Sequence, residues 1–224
     1  LHLPIQLAAE VWYCEGRDKI AANLTEVKPT LMTAVPRLYE LLHDRITKGV
    51  TAKGGLSAYF FWKAVTLGRK KLLEQTLTMP EAVLDKCLDL LIRKKVRQRF
   101  GGRLAFFVSG GAALNPDIGS FFLSLGVNIL QGYGQTEASP LISANRPGQI
   151  RIETVGPAVD GVEIKLAADG ELLARGACLM KGYWRNQEAT AETIINGWLH
   201  TGDLAQIDTD GFVTITGRKK EMIV

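Results

Sequence analysis

The apolar positions of the first half of the chain alternate between short unbroken runs and long helical stripes. Leu31-Met-Thr-Ala-Val35 has no polar alternation and predicts a buried strand. Pro36 follows where a proline suits the first turn of a helix, since the N–H it lacks is an orphan donor there anyway. That helix runs on through Leu38, Leu41, Leu42 and Ile46, and a second helical pattern covers about Ser57 to Leu77. In a third, Val83, Leu84, Cys87, Leu88, Leu91, Ile92 and Val96 recur at helical spacing, which predicts one core-facing stripe ending at Gly101-Gly102.

Leu104-Ala-Phe-Phe-Val108 predicts a strand covered on both faces. Asn115-Pro116-Asp117 then offers a cap, a first-turn proline and an early acid to a helix whose apolar side is Phe121, Phe122 and Leu125. Val127-Asn-Ile-Leu130 returns as the next strand, making a parallel, right-handed βαβ unit. Glycine loops follow both strands, at the carboxyl ends where open α/β sheets bind ligands. After Pro147 the period falls to two. Val162-Glu-Ile-Lys-Leu166 alternates, Asp169-Gly170 predicts a hairpin, and Asp210-Gly211 predicts another before Phe212-Val-Thr-Ile-Thr216. The expected fold class is α/β. A mostly parallel sheet layered with helices (residues 1–146) precedes a small antiparallel, barrel-like subdomain (residues 147–217), joined near Asn145-Arg-Pro-Gly148.

The candidate chemistry sits in the loops. In Gly132-Tyr133-Gly134-Gln135-Thr136-Glu137 the glycines let backbone approach a phosphate, and Tyr133 offers a flat face to a base. Thr136 can donate to a phosphate oxygen, and Glu137 can hold a hard cation through oxygen. Ser109-Gly110-Gly111-Ala112 lies upstream; Lys181-Gly-Tyr-Trp184, Trp198-Leu-His-Thr-Gly-Asp203 and Gly217-Arg-Lys-Lys-Glu-Met-Ile223 lie downstream. Read singly, Ser109 to Ala112 is equally a plain strand-to-helix turn, Asp203 a turn former after glycine, and Arg218 to Lys220 a basic strand end.

Taken in this order, the motifs resemble the adenylate-forming superfamily, which activates a carboxylate with ATP as an acyl-adenylate and passes the acyl group to an acceptor. The resemblance covers essentially the whole chain. It implies that Ser109, Gly110, Gly111 and Ala112 line the adenine pocket, that Gly132 and Gly134 flank Tyr133 as it stacks on adenine, and that Thr136 contacts the α-phosphate. It further implies that Glu137 ligates Mg2+, that Asp203 accepts both ribose hydroxyls and that Arg218 makes a second ribose and phosphate contact. Thr136 and Glu137 are the expected catalytic pair. Lys220 falls at the family hinge, so residues 218–224 are expected to lead into a carboxy-terminal domain. These residues would form part of the large amino-terminal domain. The family's phosphate loop and its catalytic lysine fall outside the 224 residues, which read as an internal fragment, inactive by itself, of a larger enzyme.

The long helical stretch between Arg37 and Arg103, Val35-Pro36-Arg37, Gly101-Gly102-Arg103 and Gly217-Arg-Lys-Lys-Glu221 look like the long-chain fatty acyl-CoA synthetase branch. Its members usually place His where Leu7 stands and Arg where Val11 stands, although Glu10 is kept. The expected ligands are therefore ATP or AMP, Mg2+, a fatty acid and coenzyme A. Two alternatives are adenylation of another carboxylate with transfer to a carrier protein, and a non-catalytic nucleotide-binding module.

Composition narrows this only a little. With 46% hydrophobic and 22% charged residues, and no apolar run of roughly 18 residues, the chain reads as a soluble domain or two. Its start has no features of a signal peptide. Cys14, Cys87 and Cys178 are odd in number and far apart, and His2, His43 and His200 share no metal-ligand spacing, so reduced thiols and a cytoplasmic protein are expected. A net charge of +4 conceals basic clusters at Arg69-Lys70-Lys71 and at Arg93, Lys94, Lys95, Arg97, Arg99 and Arg103. They read first as solvated helix faces, then as attractors of coenzyme A or of an anionic inner membrane face in peripheral contact. Nucleic acid is not expected, for want of interleaved aromatics.

The hinge expectation has a direct test. Proline fixes φ near −65°, and hinges work by absorbing large backbone changes at a few residues. Lys220→Pro in the full-length protein should therefore keep most pyrophosphate exchange while losing most acyl transfer to coenzyme A. Equal losses in both half-reactions would leave Lys220 a surface lysine.

Overall fold

Turn and cap chemistry sets the element boundaries. The computed structural model describes residue 6 and residues 8–219; Leu7 and Lys220 lie outside the described residues. The elements are α1 (Ile20–Val27), β1 (Leu31–Ala34), α2 (Pro36–Lys53), α3 (Gly55–Leu72), α4 (Met79–Leu88), a π-helical turn (Asp89–Arg93) and α5 (Lys94–Arg99). There follow β2 (Phe106–Ser109), α6 (Pro116–Ser124), β3 (Ile129–Gly134), a 3₁₀ turn (Thr136–Ala138), β4 (Leu141–Ala144), β5 (Val162–Leu166) and β6 (Glu171–Gly176). The chain then forms α7 (Gln187–Thr193), β7 (Ile194–Ile195), β8 (Trp198–Ile207) and β9 (Val213–Arg218). They gather into two compact units. One takes the chain up to residue 32, residues 46–106 and residues 121–128; the other takes residues 33–45, 107–120 and everything from 129 onward.

The first unit is helical. Ala64, Leu67 and Leu88 form a buried cluster with Leu77, Leu84 and Ile92 packed on it, and Phe121 and Phe122 meet edge to face at 5.4 Å. Thr78 caps α4 in a capping box, its side chain accepting from the Glu81 backbone while Glu81 reaches back to the Thr78 N–H. The expected single stripe does not hold. Leu88 is buried, but Val83 and Leu91 are 61% and 59% exposed and Cys87 is exposed. Within α4 the buried stripe, with Asp85 and Leu88, is narrower than expected and leaves Val83 and Cys87 beside it; beyond Leu88 the π-helical turn, with its wider winding, shifts the inward face. That shift turns Arg93 inward, where only 5% of it is exposed. Arg93 Nη2 donates to Asp85 Oδ1 at 2.6 Å and to the Ala64 carbonyl at 2.9 Å, and Nε donates to the Ser124 carbonyl at 2.8 Å.

The basic clusters are thus partly paired and partly solvated. Lys71 shares Asp85, Lys70 pairs with Glu81 at 2.6 Å, and Arg97 grips both oxygens of Asp89. Lys94, Lys95, Arg99 and Arg103 are exposed, as expected. Among the described residues, no helix is long and apolar enough to cross a membrane. The three cysteines are free thiols.

The second unit holds most of both sheets. The first sheet runs in the order β1-β2-β3-β4, with β2 and β3 parallel through Phe107↔Ile129 and Ser109↔Gln131, which realises the predicted βαβ unit. Asn115 Oδ1 caps α6 by accepting the Asp117 N–H at 2.8 Å. β1 is the outer strand of this chain's sheet and correspondingly half open: Leu31 is 44% exposed, against the expectation of a buried strand. The second sheet is antiparallel, ordered β5-β6-β8-β7 with β9 also on β8, and both predicted Asp-Gly turns join its hairpins.

Two stability predictions follow from the helical unit. Arg93→Met strips a buried carboxylate and buried carbonyls of their donor, so it should cost about 3–5 kcal/mol, read as a lowered denaturation midpoint. Replacing Asp85 by Leu in the same chain should recover part of that loss. Glu81 is held at a pKa of about 2, from an ordinary 4.5, by the Lys70 ammonium and the Thr78 backbone N–H. Its folded pKa is depressed, so its stabilisation is complete above pH 4.5 and disappears as pH falls toward 2. An acid titration of Tm should therefore be shallower across that window in Glu81→Gln than in the wild type.

Candidate nucleotide site

All the described site residues predicted from the motifs belong to the second unit. β3 does not end at Leu130 as expected; it continues to Gly134 because β4 offers an antiparallel partner, pairing Gly132 with Ala144 and Tyr133 with Ser143. The Gly-Tyr-Gly stretch is therefore strand. Gly134 is required by close approach, since a Cβ there would lie 1.8 Å from the Pro140 carbonyl oxygen. On the neighbouring strand Ser109 is buried, Gly110 half-buried, and Gly111 and Ala112 exposed. A Cβ on Gly110 would sit 3.6 Å from the Gly132 carbonyl, so the two glycine motifs lie side by side.

Tyr133 is the junction of the site. Its half-buried side chain packs against the cluster of Ala138, Ile142, Ala174 and Leu199 and against the cluster of Leu172, Ala205 and Val213. Its hydroxyl donates to Asp203 Oδ2 at 2.6 Å. Asp203, on β8, is 5% exposed, and its Oδ1 lies 3.1 Å from Arg218 Nε on β9, in direct register. Burial, with the Asp203 hydrogen bond added, pushes the Tyr133 phenol well above its ordinary pKa, so it remains a donor at neutral pH. A carboxylate has roughly four lone-pair positions. Two donors leave Asp203 with capacity for ligand hydroxyls.

The 3₁₀ turn carries the other pair. Thr136 is exposed, and Glu137 is half-buried with Oε1 accepting from Tyr183 Oη at 2.8 Å. The Glu137 carbonyl also accepts the Met180 N–H at 2.7 Å, so one short segment grips both ends of this residue. The Glu137 carboxylate, and burial to a lesser degree, raise the Tyr183 pKa. Oε2 is the oxygen that a hard cation would take, completed by ligand oxygens. Among the described residues no cluster of three or more His, Cys, Asp or Glu side chains could hold a metal by itself.

Several supporting groups had no readable signal. Gln131 is buried one residue before the Gly-Tyr-Gly stretch; its amide donates to the Ile152 and Thr154 carbonyls and accepts the Leu114 N–H. Asn145, read as connector, is also buried, and donates to the Thr154 carbonyl at 2.8 Å. Tyr183 stood in a motif noted only for its order, and Glu171 in none. Lys220 lies outside the described residues.

Comparison with known proteins identifies the family. The sequence profile of the AMP-binding enzyme family matches residues 1–184. A long-chain-fatty-acid–CoA ligase of Mycobacterium bovis is 38% identical over 209 residues, which are 90% of this chain and 34% of that protein. Long chain acyl-CoA synthetase 4 of Arabidopsis thaliana is 32% identical over 97% of this chain and 35% of its own length. The chain thus spans about a third of the length of these curated relatives. Among solved structures, a benzoate CoA ligase from Burkholderia xenovorans superposes with a TM-score of 0.66 at 24% identity, over 100% of this chain and 39% of that one, which speaks to the fold alone. With most of its length inside the family profile, the chain belongs to the AMP-binding enzyme family.

Proposed function

We propose that the full-length protein carrying these residues is an ATP-dependent fatty acid:CoA ligase, for which this chain supplies the base, ribose and cation sides of the nucleotide site. The observation that carries the reading is Asp203, a carboxylate almost wholly buried between Tyr133 and Arg218 with acceptor positions to spare. In the reaction, a fatty-acid carboxylate oxygen bonds to the α-phosphorus of ATP and the bond to pyrophosphate breaks. The coenzyme A sulfur then attacks the acyl carbonyl, a thioester forms, the acyl–oxygen bond breaks and AMP leaves.

The residues divide this work. Asp203 accepts the ribose hydroxyls, Tyr133 presents its ring to adenine beside Gly110 to Ala112, and Thr136 donates to the α-phosphate. Arg218, 68% exposed in its side chain, is free enough to turn toward ribose or phosphate. Glu137 would hold Mg2+, whose chemistry is to neutralise charge developing on the phosphate oxygens. Gly132 and Gly134 keep the strand flat against its neighbour so that Tyr133 stays at the edge. The acyl acceptor is coenzyme A, and the residues past Arg218, with Lys220 as hinge, lead into the domain that presents it. The segments 1–146 and 147–217 act as the α/β and antiparallel parts of one large domain, in the cytoplasm or at its membrane face.

The test is pyrophosphate release by the full-length protein across fatty acids of graded length and aromatic or amino acids, with and without coenzyme A. Activity confined to acids other than fatty acids, or thioester formation on a carrier protein alone, would overturn the reading. Asp203→Asn keeps the shape of the side chain and the Tyr133 contact but removes the charge. It should weaken ATP binding by about 1–3 kcal/mol, roughly 5- to 150-fold, with the near-UV spectrum unchanged. Calorimetric titration with ATP reads this directly.

A further inference from the structure

Glu171 is a carboxylate only 4% exposed, at the start of β6, in no motif and with no part in the chemistry above. Burying such a charge costs several kcal/mol unless donors satisfy it. Here its two oxygens face two chain segments. Oε1 accepts the backbone N–H of Gly202 at 2.8 Å, and Oε2 lies 3.1 Å from both Lys219 Nζ and His200 Nδ1. Burial pushes the Glu171 pKa up, but the Gly202 N–H, His200 and Lys219 outweigh it and hold the group below its ordinary value. Lys219 is tied on its other side to Asp169 at 2.5 Å.

The placement is what matters. Gly202 immediately precedes Asp203 and has φ of +73°, a conformation that glycine tolerates and that by itself does not fix where the next side chain points. Lys219 immediately follows Arg218. Asp203 and Arg218 are register partners across β8 and β9, so one buried carboxylate tethers the neighbour of each. The turn is braced again by Thr201, whose hydroxyl donates to the Leu172 carbonyl at 2.7 Å and accepts the Asp203 N–H at 3.2 Å. An active-site carboxylate holds its aim only when the shell behind it is itself fixed.

We propose that Glu171 is a positioning residue of the nucleotide site: through the Gly202 N–H it sets the direction of the Asp203 carboxylate and so the recognition of ribose hydroxyls. The proposal rests on the reading of Asp203 as the ribose acceptor. A residue that only stabilised the fold would weaken all nucleotides alike, whereas one that aims Asp203 acts on the hydroxyls alone.

The experiment uses the full-length protein and the ratio of its affinities for ATP and 2′,3′-dideoxy-ATP, measured by calorimetric titration. Glu171→Gln keeps an acceptor oxygen within reach of Gly202 but loses the charge; Glu171→Asp keeps the charge but withdraws it by one methylene. Both variants should lower Tm. The preference for ATP should stay within twofold of wild type in Glu171→Gln and fall at least fivefold in Glu171→Asp. Equal change in both variants, the reverse order, or no change in either would overturn the proposal. If Glu171→Gln does not fold, Glu171→Asp decides by itself, and an unchanged ratio overturns it. Asp203→Asn separates the two readings. Loss of the preference there supports the ribose role whatever Glu171 does, and a preference kept there removes both.

Discussion

A carboxylate held almost out of water has to be answered by donors, and Asp203 sets the terms for the second unit. Its donors come from different sheets. Tyr133 arrives on β3 of the first sheet and Arg218 on β9 of the second, so the pair can be satisfied only when the two sheets are packed. The backbone carries the same coupling. The chain between the sheets pairs Val155 with Val213, Val213 with Gly156, Ala144 with Pro157 and Val159 with Ile142, so β4 and β9 are tacked to one connecting strip. Gln131 and Asn145 clip that strip from beneath. Tyr133 also packs against two apolar clusters, which makes its hydroxyl contact a consequence of side-chain packing as much as of charge.

The helical unit solves a similar problem with the opposite charge. A buried guanidinium can be satisfied by carbonyls as well as by a carboxylate, and Arg93 takes both. Its planar fork reaches α3, α4 and the end of α6 at once, which a lysine's single ammonium could not do. Close contact makes room for it. Gly68 lies so near Ser124 that a Cβ would fall 2.3 Å from the Ser124 carbonyl. The interior here thus holds a buried ion pair, Arg93 with Asp85, tied to the Ala64 and Ser124 carbonyls.

What could be read from the residues was whatever is local. Pro36 at a helix start, the Asn115 cap, the glycines at positive φ in the Asp-Gly hairpins and the βαβ unit all follow from neighbours a few positions apart. The failures share a cause as well. Helical spacing assumes a constant winding, and five residues of π-helix were enough to move Arg93 in and Leu91 out. A strand's end is set by its partner, and β4, which carries β3 on to Gly134, has no signature before the sheet forms. The groups that support the site are unreadable for a plainer reason. His200 and Gly202 stand 29 and 31 positions from Glu171, and Tyr183 stands 46 from Glu137, so no window along the chain joins them.

The carboxylates of Asp203 and Glu137 share one design. Each accepts a hydrogen bond from a tyrosine, Asp203 from Tyr133 at 2.6 Å and Glu137 from Tyr183 at 2.8 Å. A phenol orients a carboxylate without cancelling its charge, unlike a lysine or arginine at the same distance. Both phenols have raised pKa values, so they remain neutral donors at neutral pH. Arg218 is the exception that supports the point. Its side chain is mostly in solvent, where its charge is screened and its contact with Asp203 weakened. Fixed neutral donors hold the acids in place, and the Arg218 guanidinium is left mostly in solvent.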